Sequence, residues 1–277
     1  MINNRKKLIL GAFLILIAIL YCYGRFVEPF RISTTELDLK IDGYFQTTGT
    51  IKIVHISDLH VIKYGKREVR MIEKIREMNP DIILITGDFI KTGADPAETF
   101  KTISQLKAPL GVWGVPGNID LTHNESSRLM KGLENIGVTI LNNQRRTITK
   151  DGFQLDLVGL DLYPKEEQLR ELFNNRPPGR PEIVMVHWPY LIEELIPYHP
   201  QLILCGHTHG GQIRLPIIGS FMARILAGTH YDQGLFRTLN TWIYVNRGIG
   251  MTTHQIRLFC PPELTVINLE VNQLPFN

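Results

Sequence analysis

Two packed sheets with flanking helices, an α/β class, are predicted by two features of the sequence. From residue 50 onward, short β-branched apolar runs alternate with helical patterns, and the second half of the chain is the more strand-rich. A chain of 277 residues, 44% apolar and 21% charged, also has the composition of a folded domain with a sizeable core. It does not have that of a disordered, collagenous or multi-span membrane protein.

The first element precedes that pattern. Residues 8–24 carry no charge, giving 17 uncharged positions between Lys7 and Arg25. That is the short edge of the range for a membrane-spanning helix, and the run is apolar on every face. Tyr21, Cys22, Tyr23 and Gly24 offer no small-residue cleavage pattern, and the tyrosines suit a membrane interface. An uncleaved anchor over residues 1–24 is therefore expected ahead of a cleaved secretory signal, with one domain over residues 25–277. Arg5, Lys6 and Lys7 precede the span, and Arg25 and Arg31 follow it closely. The positive-inside rule tilts the amino terminus towards the cytoplasm by a small margin.

The domain's elements follow in order. Strand patterns at 51–57, 82–86 and 111–115 precede helical patterns at 67–78, 96–106 and 124–135, the signature of a parallel sheet with crossover helices. Further strands are expected at 154–160, 182–187, 201–206, 241–246 and 263–270. The segment 176–181, RPPGRP, reads as a solvated loop. Lys and Arg exceed Asp and Glu by three, and the three cations ahead of the apolar run account for all of it. A neutral domain lacks the clustered cations that nucleic acid binding needs, so no nucleic acid partner is expected. Cys22, Cys205 and Cys260 are odd in number and scattered, which excludes a fully paired disulfide framework.

Oxygen and imidazole groups fall where these strands end. Asp58 and His60 close the first strand, and their spacing would put both on one face of an extended backbone. Asp88 follows the second strand across Gly87, and Asn118 follows the third across Gly117. His187 closes a later strand, and His207 and His209 close the next within GHTHGG. Open α/β sheets place their ligands at such carboxyl ends. Seven donors are too many for one ion, and the reading is two divalent cations sharing a carboxylate. Such a pair, about 3.5 to 4 Å apart, holds a bridging hydroxide and clamps a phosphoryl centre. Donors without thiolate suit Mn, Fe or Zn.

IVHISDLH, ITGDF, PGNID, VHWP and CGHTHGGQ, in this order, resemble the calcineurin-like metallophosphoesterase superfamily over about residues 50–270. With the amino-terminal anchor, GHTHGGQIRLP, NRGIG and RLFCPPEL look like its membrane-associated branch of phosphodiesterases and UDP-2,3-diacylglucosamine hydrolases. The resemblance implies a four-layer α/β/β/α sandwich, a metal-dependent phosphoesterase activity and a place at the cell membrane. It assigns Asp58, His60 and His209 to a first metal, Asn118, His187 and His207 to a second, and Asp88 to both. It implies catalytic roles for Asn118, Asp120 and His207, and a phosphorylated lipid or nucleotide-linked lipid as substrate.

One position departs from that family's pattern. Ile119 stands where the family usually has a histidine that protonates the leaving oxygen, and isoleucine cannot donate a proton. A departing phosphate monoester, with a second pKa of about 6, needs no such acid, whereas an alkoxide does. His123, His230 and His254 are the candidates for a replacement donor, each expected in a solvated loop. Residues 213–226 concentrate Ile213, Leu215, Ile217, Ile218, Phe221, Met222, Ile225 and Leu226 around Arg214 and Arg224. This stretch reads either as buried core or as an apolar wall for acyl chains, with arginines for phosphate.

Overall fold

The computed structural model describes residues 4–43, 45, 47–216, 219, 224, 225, 228–252 and 254–273. Helix α1 (Asn4–Phe26) comes first, and of its 23 residues Gly24 alone is buried. At 1.5 Å per residue it is about 35 Å long, against a hydrocarbon layer of about 30 Å. Among the described residues it is the one helix long and apolar enough to cross a membrane.

Two six-stranded sheets follow. The first contains β1 (Ser33–Gly43), β2 (Gly49–Ile56), β3 (Ile82–Thr86), β4 (Val112–Val115), β5 (Val138–Ile140) and β12 (Glu263–Gln273), in the order β1-β12-β2-β3-β4-β5. The second contains β6 (Gln144–Lys150), β7 (Phe153–Gly159), β8 (Glu182–Met185), β9 (Leu202–Cys205), β10 (Gly234–Thr238) and β11 (Thr241–Val245), in the order β10-β11-β9-β8-β7-β6. The centres of both sheets are parallel, β2 with β3 and β4, and β7 with β8 and β9. Helices α2 (Lys66–Met78), α3 (Pro96–Ile103), α4 (Asn118–Thr122) and α5 (Ser126–Asn135) belong to the first half, and α6 (Glu166–Asn174) and α7 (Ile192–Leu195) to the second.

Three apolar clusters separate four layers. In β3, Ile83 and Ile85 pack with Met71, Ile72 and Ile75 of α2, while the alternate residues Ile82 and Leu84 turn to the other sheet. There they meet Leu155, Leu157, Leu202 and Leu204. Val184 and Ile203 on the far face of the second sheet pack with Leu169 and Phe173 of α6 and with Leu195 of α7. The period of two thus gives each central strand two buried faces, as a covered parallel sheet requires. Truncating Leu84, fully buried between the sheets, to Ala would cost about 2 to 5 kcal/mol.

Every strand and helix expected from the sequence is present, with ends shifted by a few residues. β1, β5, β6, β10, α4, α6 and α7 are additional. β1 lies at one edge of its sheet and pairs with β12 in parallel register, Leu37 opposite Ile267. β6, likewise an edge strand of its sheet, is mostly polar and buries Ile148. The RPPGRP arginines are not simply solvated: Arg176 pairs with Glu182 at 3.0 Å and Arg180 with Asp156 at 3.1 Å. These buried carboxylates recruit them from the loop.

Candidate metal centre

The carboxyl ends of β2, β3, β4, β8 and β9 bring the predicted donors together at one end of the two sheets. Asp58 and His60 lie beyond the end of β2, at φ values of 50° and 41°. They are thus in left-handed backbone and not, as their spacing had implied, on one face of an extended strand. Asp88, His207 and His209 share this conformation, at 53°, 70° and 52°. Each such residue carries strain of about 1 to 3 kcal/mol, which tight surroundings must hold. Part of that packing comes from Gly206, where an added Cβ would lie 1.8 Å from Ser57 Oγ and 2.4 Å from Asp58 Oδ2.

Asp58, His60 and His209 converge. His209 Nε2 lies 3.1 Å from His60 Nε2 and 3.2 Å from Asp58 Oδ1. Asp58 Oδ1 is fully buried and accepts no hydrogen bond, whereas Oδ2 accepts the His207 amide at 2.9 Å and lies 2.6 Å from the Ser57 hydroxyl. An oxygen without a donor, beside two imidazole nitrogens directed at the same space, is a donor set that fits a cation. Asp58, Asp88 and His187 form a second group of this kind. Asp88 Oδ2 lies 3.4 Å from His60 Nε2 and 3.5 Å from His187 Nε2, between the two groups. Its Oδ1 accepts the amide of Ile119 at 2.8 Å.

Asn118 Oδ1 stands 3.1 Å from His187 Nε2 and accepts Trp188 Nε1–H at 3.1 Å. His187 Nδ1 donates to the carbonyl of Thr86 at 2.7 Å, which fixes the tautomer and leaves Nε2 for Asn118 and Asp88. The His207 ring packs edge-on against that of His187 at 5.1 Å. Asp120 is fully buried, and its carboxyl oxygens accept the amides of Gly117 and Ile90 at 2.8 and 3.3 Å. It holds the turn that presents Asn118.

The electrostatics suit cation donors. Burial pushes His60 down to about 3 and His207 to about 4, so both imidazoles keep free lone pairs. Burial raises the Asp58 and Asp88 carboxyls, but the neighbouring histidines outweigh it and hold both below the usual range. Burial also opposes charge on His187, yet Asp88 and Asp58 raise it to about 9, the sign of a field that attracts positive charge.

The pattern of the calcineurin-like phosphoesterases matches residues 51–211. The chain belongs to that family. Metallophosphoesterase YkuE of Bacillus subtilis is 33% identical over 264 residues, covering 90% of each chain. Phosphodiesterase YaeI of Escherichia coli is 29% identical over 97% of this chain and 100% of its own. UDP-2,3-diacylglucosamine pyrophosphatase LpxG of Chlamydia muridarum is 26% identical over 89% and 92%. The structure of Haemophilus influenzae NAD nucleotidase shares the fold, with a TM-score of 0.52 at 15% identity over 73% of this chain and 51% of that one. Like its family, this calcineurin-like phosphoesterase is a metal-dependent hydrolase of phosphoric esters.

Several expectations around the centre are corrected. Both ring nitrogens of His123 are engaged, Nε2 with the carbonyl of Ala94 and Nδ1 with the amide of Glu125, so it is buried and no substitute acid. His230 and His254 are exposed, as expected. Arg214 and Arg224 are not free for phosphate: both pair with the buried Asp232, at 2.7 and 3.3 Å. Ile213, Leu215 and Ile225 are exposed and do not form core. Ile217, Ile218, Phe221, Met222 and Leu226 lie outside the described residues.

Residue-by-residue reading missed Trp188 and Arg257. Trp188 adjoins a predicted ligand, a signal that could have identified it. Arg257 is fully buried, donates to the carbonyls of Arg247, Gly248, Gly250 and Cys260, and reaches within 3.4 Å of His209 Nδ1. It opens RLFCPPEL, a motif that carries the resemblance, but nothing in that motif says that the arginine is buried against a metal donor.

Proposed function

We propose that this chain is a membrane-anchored phosphoesterase that holds two divalent cations and hydrolyses a phosphodiester or pyrophosphate bond of a lipid-linked substrate such as UDP-2,3-diacylglucosamine. The carrying observation is Asp88 Oδ2, 3.4 Å from His60 and 3.5 Å from His187, between two donor groups. Asp58, His60 and His209 would hold one ion, Asn118, His187 and His207 the other, and Asp88 both. When bound, Mn, Fe or Zn at these donors would supply Lewis acidity at phosphorus and lower the pKa of a water.

The residues perform the rest. Thr86 and Trp188 orient His187 and Asn118, so that donors from both sheets face the reacting phosphoryl group in fixed rotamers. Asp120 holds the Asn118 turn from below. Ile119 directs its amide to Asp88 and packs its side chain on the helix-side core, so position 119 gives the leaving oxygen no proton. The chain therefore favours leaving groups stable as anions, and a pyrophosphate bond over an alkyl ester.

An apolar helix, the exposed Ile213, Leu215 and Ile225, and the likeness to LpxG support a lipid substrate at the membrane. Assaying the full-length protein with Mn against UDP-2,3-diacylglucosamine, phospholipids and nucleotides tests this. Preferential release of UMP from the diacylglucosamine compound is expected, and no hydrolysis of any lipid-linked substrate would overturn the reading. The charge balance at the anchor favours a domain outside the cytoplasm, where an envelope phospholipid or wall polymer becomes the alternative substrate. A carboxyl-terminal reporter fusion decides between the two sides.

A further inference from the structure

A cavity of about 830 Å³, large enough for a small ligand, lies where α1 meets the domain. It is lined by Tyr23 at the end of the helix, Arg31 just beyond it, Arg70 and Lys74 of α2, and Phe259. None of these residues belongs to the metal donor set. Their height follows from the helix: the uncharged run ends at Gly24, so Tyr23, Arg25 and Arg31 mark the headgroup level of a membrane it crosses. Phe26, Val27 and Phe259 are exposed there, at 64%, 45% and 49%, apolar surface suited to the acyl boundary.

The chemistry of the lining is specific. Among the described residues, none of Arg31, Arg70 and Lys74 is in an ion pair; Arg31 donates to Tyr23 Oη at 2.8 Å and Arg70 to the carbonyl of Phe30 at 2.9 Å. Glu28, also in the lining, is buried, and its two oxygens accept the amides of Phe259 and Cys260 at 2.9 and 2.5 Å. It is thus turned to the backbone and does not neutralise the arginines. Glu73 and Glu77 complete the wall, in no ion pair with these cations. Three cations without carboxylate partners beside two spare carboxylates complement a phosphodiester that carries an amine.

We propose that this cavity binds the headgroup of a membrane phospholipid, with Arg31, Arg70 and Lys74 on the phosphate and Glu73 or Glu77 meeting the headgroup amine. The proposal rests on the reading of α1 as a membrane anchor and is independent of the hydrolysed substrate. The site would seat the domain against the bilayer surface, as juxtamembrane cations do.

The test uses full-length protein reconstituted in phosphatidylethanolamine, exchanged into detergent and weighed by native mass spectrometry. One retained phosphatidylethanolamine per chain is expected. Arg31→Gln/Arg70→Gln/Lys74→Gln should reduce retention on the order of 100-fold, from the loss of three interfacial cations, with metal content and bis-p-nitrophenyl phosphate hydrolysis unchanged. Equal retention by the triple variant, equal retention of diacylglycerol, or no adduct on the wild type would overturn the site. An inorganic phosphate adduct that excludes the lipid would overturn the lipid assignment. Alkaline carbonate separates the two failures: protein released from membranes refutes the anchor, whereas protein that stays in the pellet without lipid refutes the cavity alone.

Discussion

The amide of Arg257 donates to the carbonyl of Gly24 at 2.9 Å, joining the last turn of the apolar helix to the segment whose arginine reaches His209. Glu28 adds a second tie, through the amides of Phe259 and Cys260. A Cβ at Gly24 would lie 2.8 Å from the carbonyl oxygen of Arg257. Gly24→Val should therefore destabilise the domain by about 1 to 3 kcal/mol, as overpacking does. Thermal unfolding in detergent measures this, and an unchanged Tm would show that helix and metal centre are uncoupled.

Trp188→Phe removes the N–H that Asn118 Oδ1 accepts and leaves a smaller aromatic ring in its place. Loss of an outer partner of this kind lowers metal affinity or activity by about 10- to 100-fold. Metal titration with parallel kinetics should show it, while Trp188→Phe with unaltered metal affinity and rate would remove Trp188 from the site's support.

Ile119→His restores a proton donor at the one position that departs from the family pattern. Cleavage of an alkyl phosphodiester should rise by about 10²-fold or more, the ordinary range of general acid catalysis, and cleavage of a pyrophosphate should rise far less. Equal acceleration of both substrates would refute the leaving-group argument.

Burial, and then the charge of Asp88, raises the Asp120 carboxyl to about 8, so it is protonated in the folded metal-free protein at neutral pH. An unfolded aspartate titrates near 3.9. The stability it contributes is fully present below that value and is lost as pH rises through about 8. Asp120→Asn mimics the neutral acid and should flatten this loss. Denaturant midpoints of the two apo proteins from pH 4 to 8 should diverge with rising pH, and parallel curves would contradict the assignment.

Much of the fold was legible because the central strands are buried on both faces and read as continuous apolar runs, IILIT of β3 above all. The edges were not: β6 carries one buried apolar residue, and α6 buries only Leu169 and Phe173, with Leu172 half-buried beside them. The donors could be picked out by type and position, but their convergence depends on left-handed backbone at Asp58, His60 and Asp88, which spacing does not encode. Arg257 was illegible for a related reason, since its carbonyl partners are created by the turn at Gly248 and Gly250.

The most direct measurement is the metal content of purified full-length protein and of Asp88→Asn, read alongside their hydrolysis of a pyrophosphate substrate. Two divalent ions per chain in the wild type are expected, with loss of at least one ion and of hydrolysis in the variant. A wild type that hydrolyses at full rate after chelation, or an Asp88→Asn protein that keeps both ions and full activity, would contradict the account.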